Sequence, residues 1–264
     1  MGEYRREIIN RAAFMEKTMP RWVPALGILA MLAVWEIICR AGLVSPLYLP
    51  SPTSILQAGQ EMILSGELTG NTRASLYRII MGFVIGSAAG ILCGVVLGFS
   101  KLAEAVGNPI IYSIYPIPKI ALLPLIILWL GIGELSKVTI ISLGVFFPVV
   151  INTYSGVVNV DPLLVKAAVS FKAARINIIR KVILPGALPV IFAGLKLASG
   201  TSLLLLVAAE MIAAREGIGS MILHYGDLML TTKLMVGVLT LSLLGVIFNR
   251  LLDQLEKWVI PWKN

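Results

Sequence analysis

One carboxylate, Glu210, lies inside the apolar run LLLLVAAEMIAA. An acid at bilayer depth costs about 2.5 to 3.5 kcal/mol on insertion scales, so it must face a cavity or a partner rather than lipid. Two roles are open to it: a structural pair with Arg215 near the end of the run, or a gate or solute contact. Lys119 stands among Pro109, Pro116, Pro118 and Pro124. Backbone broken in this way is tolerated in a membrane only where protein or water satisfies the freed carbonyls, so the segment either borders a transport path or is a simple kink. Asn152, four residues after Pro148, puts an amide in a further apolar run. Pro118, Lys119, Pro124, Asn152 and Glu210 are therefore the candidates for a translocation path, and their chemistry is reversible recognition without covalent steps.

Other reactive constellations are missing from the sequence. There is no G-x-x-x-x-G-K-[ST] loop to cradle phosphates, no Ser/His/Asp arrangement and no H-E-x-x-H pair. Cys39 and Cys93 lack metal-ligand spacing and read as small apolar residues of spans, and no metal site is expected. The sole histidine, His224, falls in GSMILHYGDLML and reads as a surface residue. These absences argue against an enzyme active site in the chain.

The elements that carry these residues are membrane spans. The chain has 264 residues, 58% of them hydrophobic and 14% charged, and a mean hydropathy of +0.90, which no ordinary soluble domain shows. Crossing roughly 30 Å of hydrocarbon takes about 20 apolar residues, and windows of that kind occur at 22–41, 78–99, 110–131, 138–158, 187–213 and 234–252. Basic residues set the orientation. Arg5, Arg6, Arg11, Lys17 and Arg21 precede the first window, Lys166, Lys172, Arg175, Arg180 and Lys181 share the central loop, and Arg250, Lys257 and Lys263 follow the last. The other side holds Arg40, Arg73, Arg78, Lys137, Arg215 and Lys233 along longer segments. The positive-inside rule then puts both termini in the cytoplasm, and the net charge of +8 reflects topology rather than nucleic-acid binding. The charged start and the lack of a small-x-small cleavage site argue that the first window is retained.

Within the windows, Gly82, Gly86, Gly90, Gly94 and Gly98 recur at every fourth position. Such a row lets helix backbones approach closely in lipid. Because four-residue steps drift about 40° each, the row is expected to wind round its helix and reach more than one neighbour. Glu36, in the first window, is either hydrated near the interface or part of a pore. In the segment 42–77, LPSP stops any preceding helix, and Thr53 or Ser54 is expected to cap an amphipathic helix through Ile55, Leu56 and Met62.

The stretch 161–189, DPLLVKAAVSFKAARINIIRKVILPGALP, differs from the rest in being charged and amphipathic. Asp161-Pro162 is a helix start. Leu163, Leu164, Ala167, Ala168 and Phe171 then fall on one stripe, with Lys166 and Lys172 elsewhere. A second short helix is expected through Ile176, Ile179, Val182 and Ile183, ended by Pro185.

This stretch resembles the EAA loop of permease subunits of ABC importers. Ala167-Ala168 match the paired alanines, Val182 replaces an isoleucine, and Leu184-Pro185 close the motif in register. Lys166 stands where the family has Glu, and Lys172 where it has Gly. LPSPTSI (49–55), ASLYRIIMGFVIG (74–86), PIPKIALLPLIILWLGIGELSK (116–137) and VAAEMIAAREGIG (207–219) are similar to the nitrate, sulfonate, taurine and bicarbonate group of these permeases.

The resemblance implies an all-α polytopic membrane protein of about six transmembrane helices with the MetI-like type I importer permease fold. It would comprise a cytoplasmic arm (1–21), a first span and external segment (22–69), a permease domain (70–254) with its coupling loop at 160–186, and a cytoplasmic tail (255–264). It further implies residence in the bacterial inner membrane and partnership with two ATPase subunits, which bind ATP and Mg while this chain holds no cofactor. A second permease copy and an external substrate-binding protein complete the expected assembly. The implied solute is a small anion such as an aliphatic sulfonate, taurine, nitrate or bicarbonate. A vitamin or pyrimidine precursor, or a secondary transporter, are the alternatives. Lys166 and Lys172 would face acidic groups on the ATPase or lipid headgroups.

Overall fold

The computed structural model describes residues 22–263, so the expected arm at 1–21 lies outside the described residues. All regular elements among them are helical. Helix α1 (Val23–Arg40) is apolar and largely exposed, and α2 (Pro52–Leu64) lies beside it. Glu36 joins the two. Its carboxylate accepts from Arg40 at 2.6 Å and from the Thr53 N–H at 3.0 Å and hydroxyl at 2.7 Å, so it pins the start of α2. The N-cap of α2 is Ser51, two or three residues earlier than expected, and its hydroxyl accepts from the Ser54 N–H at 3.2 Å. Ile55 and Met62 are buried, whereas Leu56 is exposed, as an amphipathic helix requires.

Three long helices build the centre: α3 (Glu67–Phe99), α6 (Glu134–Val158) and α9 (Leu184–Ala213), with α6 packed between the other two. The five glycines of the four-residue row on α3 all face α6. A Cβ at Gly82 would come within 2.5 Å of Ile141, at Gly86 within 2.8 Å of Val145, at Gly90 within 2.9 Å of Val149, at Gly94 within 2.6 Å of Thr153 and at Gly98 within 2.5 Å of Val157. Both sets of partners advance by four, so the helices run parallel and their four-residue ridges interdigitate. The row therefore stays on one neighbour instead of winding onto several, because the ridge on α6 winds with it.

The window 110–131 is not one straight helix. Helix α4 (Lys101–Ile114) ends at a break, a single 3₁₀ turn follows at Lys119–Leu122, and α5 (Leu123–Leu130) departs at 87°. Pro116 and Pro118 cannot donate to the helix ladder and force the bend. After α6 come the short α7 (Pro162–Ser170) and α8 (Arg175–Ile178), then α9, α10 (Ile218–Asp227) and α11 (Thr231–Val259). Four of these segments are long and apolar enough to span a bilayer, and the bent pair makes a fifth. With α1 the fold has about six transmembrane helices. The apolar window of α6 is 56% buried and that of α11 only 11%, so α6 is the axis of the core and α11 a peripheral helix.

Candidate functional site

Helix α7 begins as its sequence dictates. The Asp161 carboxylate accepts the Leu163 N–H at 2.8 Å, and Pro162 occupies the first turn, where its missing N–H costs nothing. Leu163, Leu164, Val169 and Phe171 are all more than half exposed, reaching 86% at Phe171. Ala167 and Lys166 are exposed beside them, while Val165 and Ala168 turn partly toward the bundle. Val165 and Lys166 also border a hollow of about 510 Å³ between α7 and the ends of α3 and α6.

Lys172 makes the turn that follows α7. Its φ is +54°, its N–H donates to Val169 O at 2.8 Å, and the Ala173 N–H reaches back to Ala168 O at 3.2 Å. This pairing is a Schellman cap with a non-glycine residue in the left-handed position, a conformation that costs an L-residue roughly 1 to 2 kcal/mol. The chain then continues differently from expectation, because Pro185 does not end the second short helix. Helix α8 passes through a π turn (Ile179–Ile183) directly into α9, with Leu184 and Pro185 in the first turn of that helix. The wide turn is where the ladder absorbs the proline. Helix α7 thus hangs between α6 and α9, the two most closely packed core helices after α3 and α6.

Glu210 lies at the other end of α9 and is fully buried, with Arg78 as its partner rather than the exposed Arg215. One Arg78 Nη donates to Glu210 at 2.7 Å and to the Glu216 carbonyl at 2.6 Å, while Nε and the other Nη bind Glu134 in a fork at 2.7 Å each. The Glu210 carboxylate also accepts from the Ser75 hydroxyl at 2.8 Å and the Gly219 N–H at 2.8 Å. The cluster ties α3, α6, α9 and the start of α10 together. Helix α3 begins at Glu67 and α6 at Glu134, so Arg78 and Lys137 lie within helices and are about 4% exposed. Outside the spans, Tyr225 on α10 donates to Glu67, and burial together with that carboxylate pushes its hydroxyl pKa up to about 12.

Midway along α6, a cavity of about 290 Å³ opens against the break between α4 and α5. It brings together Pro118 and Lys119 with Tyr115, Phe147, Thr201 and Leu204. The other path candidates lie apart. Pro124 is exposed on the first turn of α5. Asn152 donates to the Pro148 carbonyl at 2.8 Å and packs against Gly194 of α9. Pro148 deprives the Gly144 carbonyl of its helical donor, and the Thr201 hydroxyl approaches that carbonyl at 3.5 Å. His224 is exposed, 5.4 Å from the Tyr225 ring. No group of three or more His, Cys, Asp or Glu side chains among the described residues could hold a metal.

Comparison with known proteins places this geometry. Residues 86–261 match the family model described as binding-protein-dependent transport system inner membrane component. The chain is 37% identical to SsuC of Bacillus subtilis (strain 168), named for aliphatic sulfonates transport, over 92% of this chain and 88% of that protein. It is 35% identical to the taurine transport system permease protein TauC of Escherichia coli (strain K12), over 97% of each. Among solved structures, an inward-facing form of the MetNI methionine ABC transporter superposes with a TM-score of 0.60 at 22% identity, covering 73% of this chain and 95% of that one. The last likeness establishes the fold and the first three the lineage: the chain belongs to the binding-protein-dependent transport system inner membrane component family, the permease subunits of ABC importers, and is a transport subunit rather than an enzyme.

Proposed function

We propose that this chain is the permease of an importer for small anionic solutes, aliphatic sulfonates and taurine foremost, and that two copies assemble in the inner membrane with their termini in the cytoplasm. The observation that carries this reading is the exposed apolar and alanine-lined face of α7, suspended between α6 and α9 with nothing among the described residues to cover Leu163, Leu164 or Phe171. Work with an ATPase and a substrate-binding protein follows from the family. The proposal adds that there are two ATPase subunits, that they hold the ATP and Mg, and that α7 seats in a groove on each. Closure of the ATPase pair then displaces α7 and moves α6 and α9 with it, exchanging one opening of the path for the other. Lys166 and Lys172, both exposed, meet acidic side chains at that joint.

The solute class rests on the relatives named for sulfonates, taurine and, at 27% identity, nitrate. Reconstitution of the permease with its ATPase and binding protein in vesicles tests it. ATP-dependent uptake of labelled ethanesulfonate or taurine is the expected result. Uptake of neither, by vesicles that take up a vitamin or pyrimidine precursor, would overturn the assignment.

A further inference from the structure

Lys119 has features that a kink alone does not require. It sits at the break between α4 and α5, level with the middle of α6, and its ammonium lies 4.4 Å from the centroid of the Phe147 ring and 5.0 Å from that of Tyr115. It donates to the carbonyls of Tyr115 and, at 3.4 Å, Ile114, which Pro118 denies its α-helical donor and which also accepts the Ile117 N–H at 3.1 Å. No carboxylate pairs with it among the described residues. Two carbonyls and two aromatic faces hold the ammonium in place without cancelling its charge. The cavity beside it, of about 290 Å³, is otherwise walled by Phe147, Pro148, Leu204 and Leu205, with Thr201 contributing a hydroxyl.

A positive centre at one side of a small apolar chamber is the complement of a small anion with a short alkyl tail. We infer that Lys119 is the anion-recognising group of the translocation path, holding the solute's charged head while Leu204 and Leu205 contact its tail. The inference rests on the reading of the chain as a permease for small anions whose second copy closes the open side of the chamber. It also explains how a permease can discriminate by charge after the binding protein has released its ligand.

The test uses the complete transporter, with ATPase and binding protein, in a Cys39→Ser, Cys93→Ala background carrying Leu204→Cys. The rates of modification by an anionic and by a cationic methanethiosulfonate reagent are compared with Lys119 intact and in Lys119→Gln, which can still donate to the carbonyls of α4 but carries no charge. The anionic-to-cationic rate ratio is expected to fall at least about tenfold in Lys119→Gln, and to be retained in Lys119→Arg. Ethanesulfonate should slow modification only when the charge is present. An unchanged ratio, or equal protection in both proteins, would reduce Lys119 to a helix cap and overturn the inference. ATP-driven uptake of labelled ethanesulfonate or taurine by the transporter with Leu204 and both cysteines intact separates the two levels: uptake with an unchanged ratio overturns the role of Lys119 alone, whereas uptake of neither overturns the anion-permease reading beneath it.

Discussion

Replacing Arg78 by methionine should damage this protein more than any comparable change to the acids around it. The guanidinium donates four hydrogen bonds, two to Glu134, one to Glu210 and one to the Glu216 carbonyl. Without it, Glu134 loses little, because it is half exposed at 48% and retains Lys137 at 3.2 Å. Glu210 is 0% exposed and would keep only Ser75 and the Gly219 N–H, neither of which carries a charge. Breaking a buried pair from one side costs about 3 to 5 kcal/mol because the remaining charge is uncompensated. Glu210→Gln leaves Arg78 neutralised by Glu134, so its cost is that of an imperfect hydrogen-bond set, about 1 to 3 kcal/mol. Arg78→Met/Glu210→Met removes both charges and should be more stable than Arg78→Met alone. Thermal unfolding of the purified permease in detergent measures the order, with a drop on the order of 10 °C expected for Arg78→Met. Glu210→Gln proving the more damaging single change, or a double variant less stable than Arg78→Met, would refute the argument.

Two further substitutions probe the helix contacts. Gly86→Ala would put a methyl 2.5 Å from the Ser142 carbonyl oxygen, whereas Gly70→Ala meets nothing within 4 Å; the first should lower stability by about 1 to 3 kcal/mol and the second leave the unfolding midpoint unchanged or raised. Lys172→Gly relieves a left-handed lysine at the cost of backbone entropy and should be close to neutral, but Lys172→Ile should destabilise the loop by about 1 to 2 kcal/mol, read as faster proteolysis between α7 and α8.

Much of this architecture is visible in the sequence because the membrane imposes simple rules. Apolar length marks the spans, a four-residue glycine row marks a close helix contact, and Asp161-Pro162 marks the start of α7. The errors have a common origin in long-range geometry. Arg78 opens the window 78–99, but hydropathy does not reveal that it is buried in α3, because its partners Glu134 and Glu210 are distant in sequence. Pro185 reads as a stop, yet the π turn before it lets α9 continue. Lys172 shows no glycine signature because its left-handed backbone is imposed by the cap around it. The cavity at Lys119 depends on Phe147 and Leu204, which only the packing of α6 against α9 brings to the break.

The claim on which the functional account depends is that α7 transmits force from a separate ATPase. Ala167 is its sharpest probe, being exposed on the docking face, whereas Ala168 is half buried toward the bundle and could disturb the permease itself. In the reconstituted transporter, Ala167→Trp should leave the permease's own unfolding midpoint unchanged while abolishing both ATPase copurification and solute uptake. Normal uptake and normal ATPase association by Ala167→Trp would contradict the account.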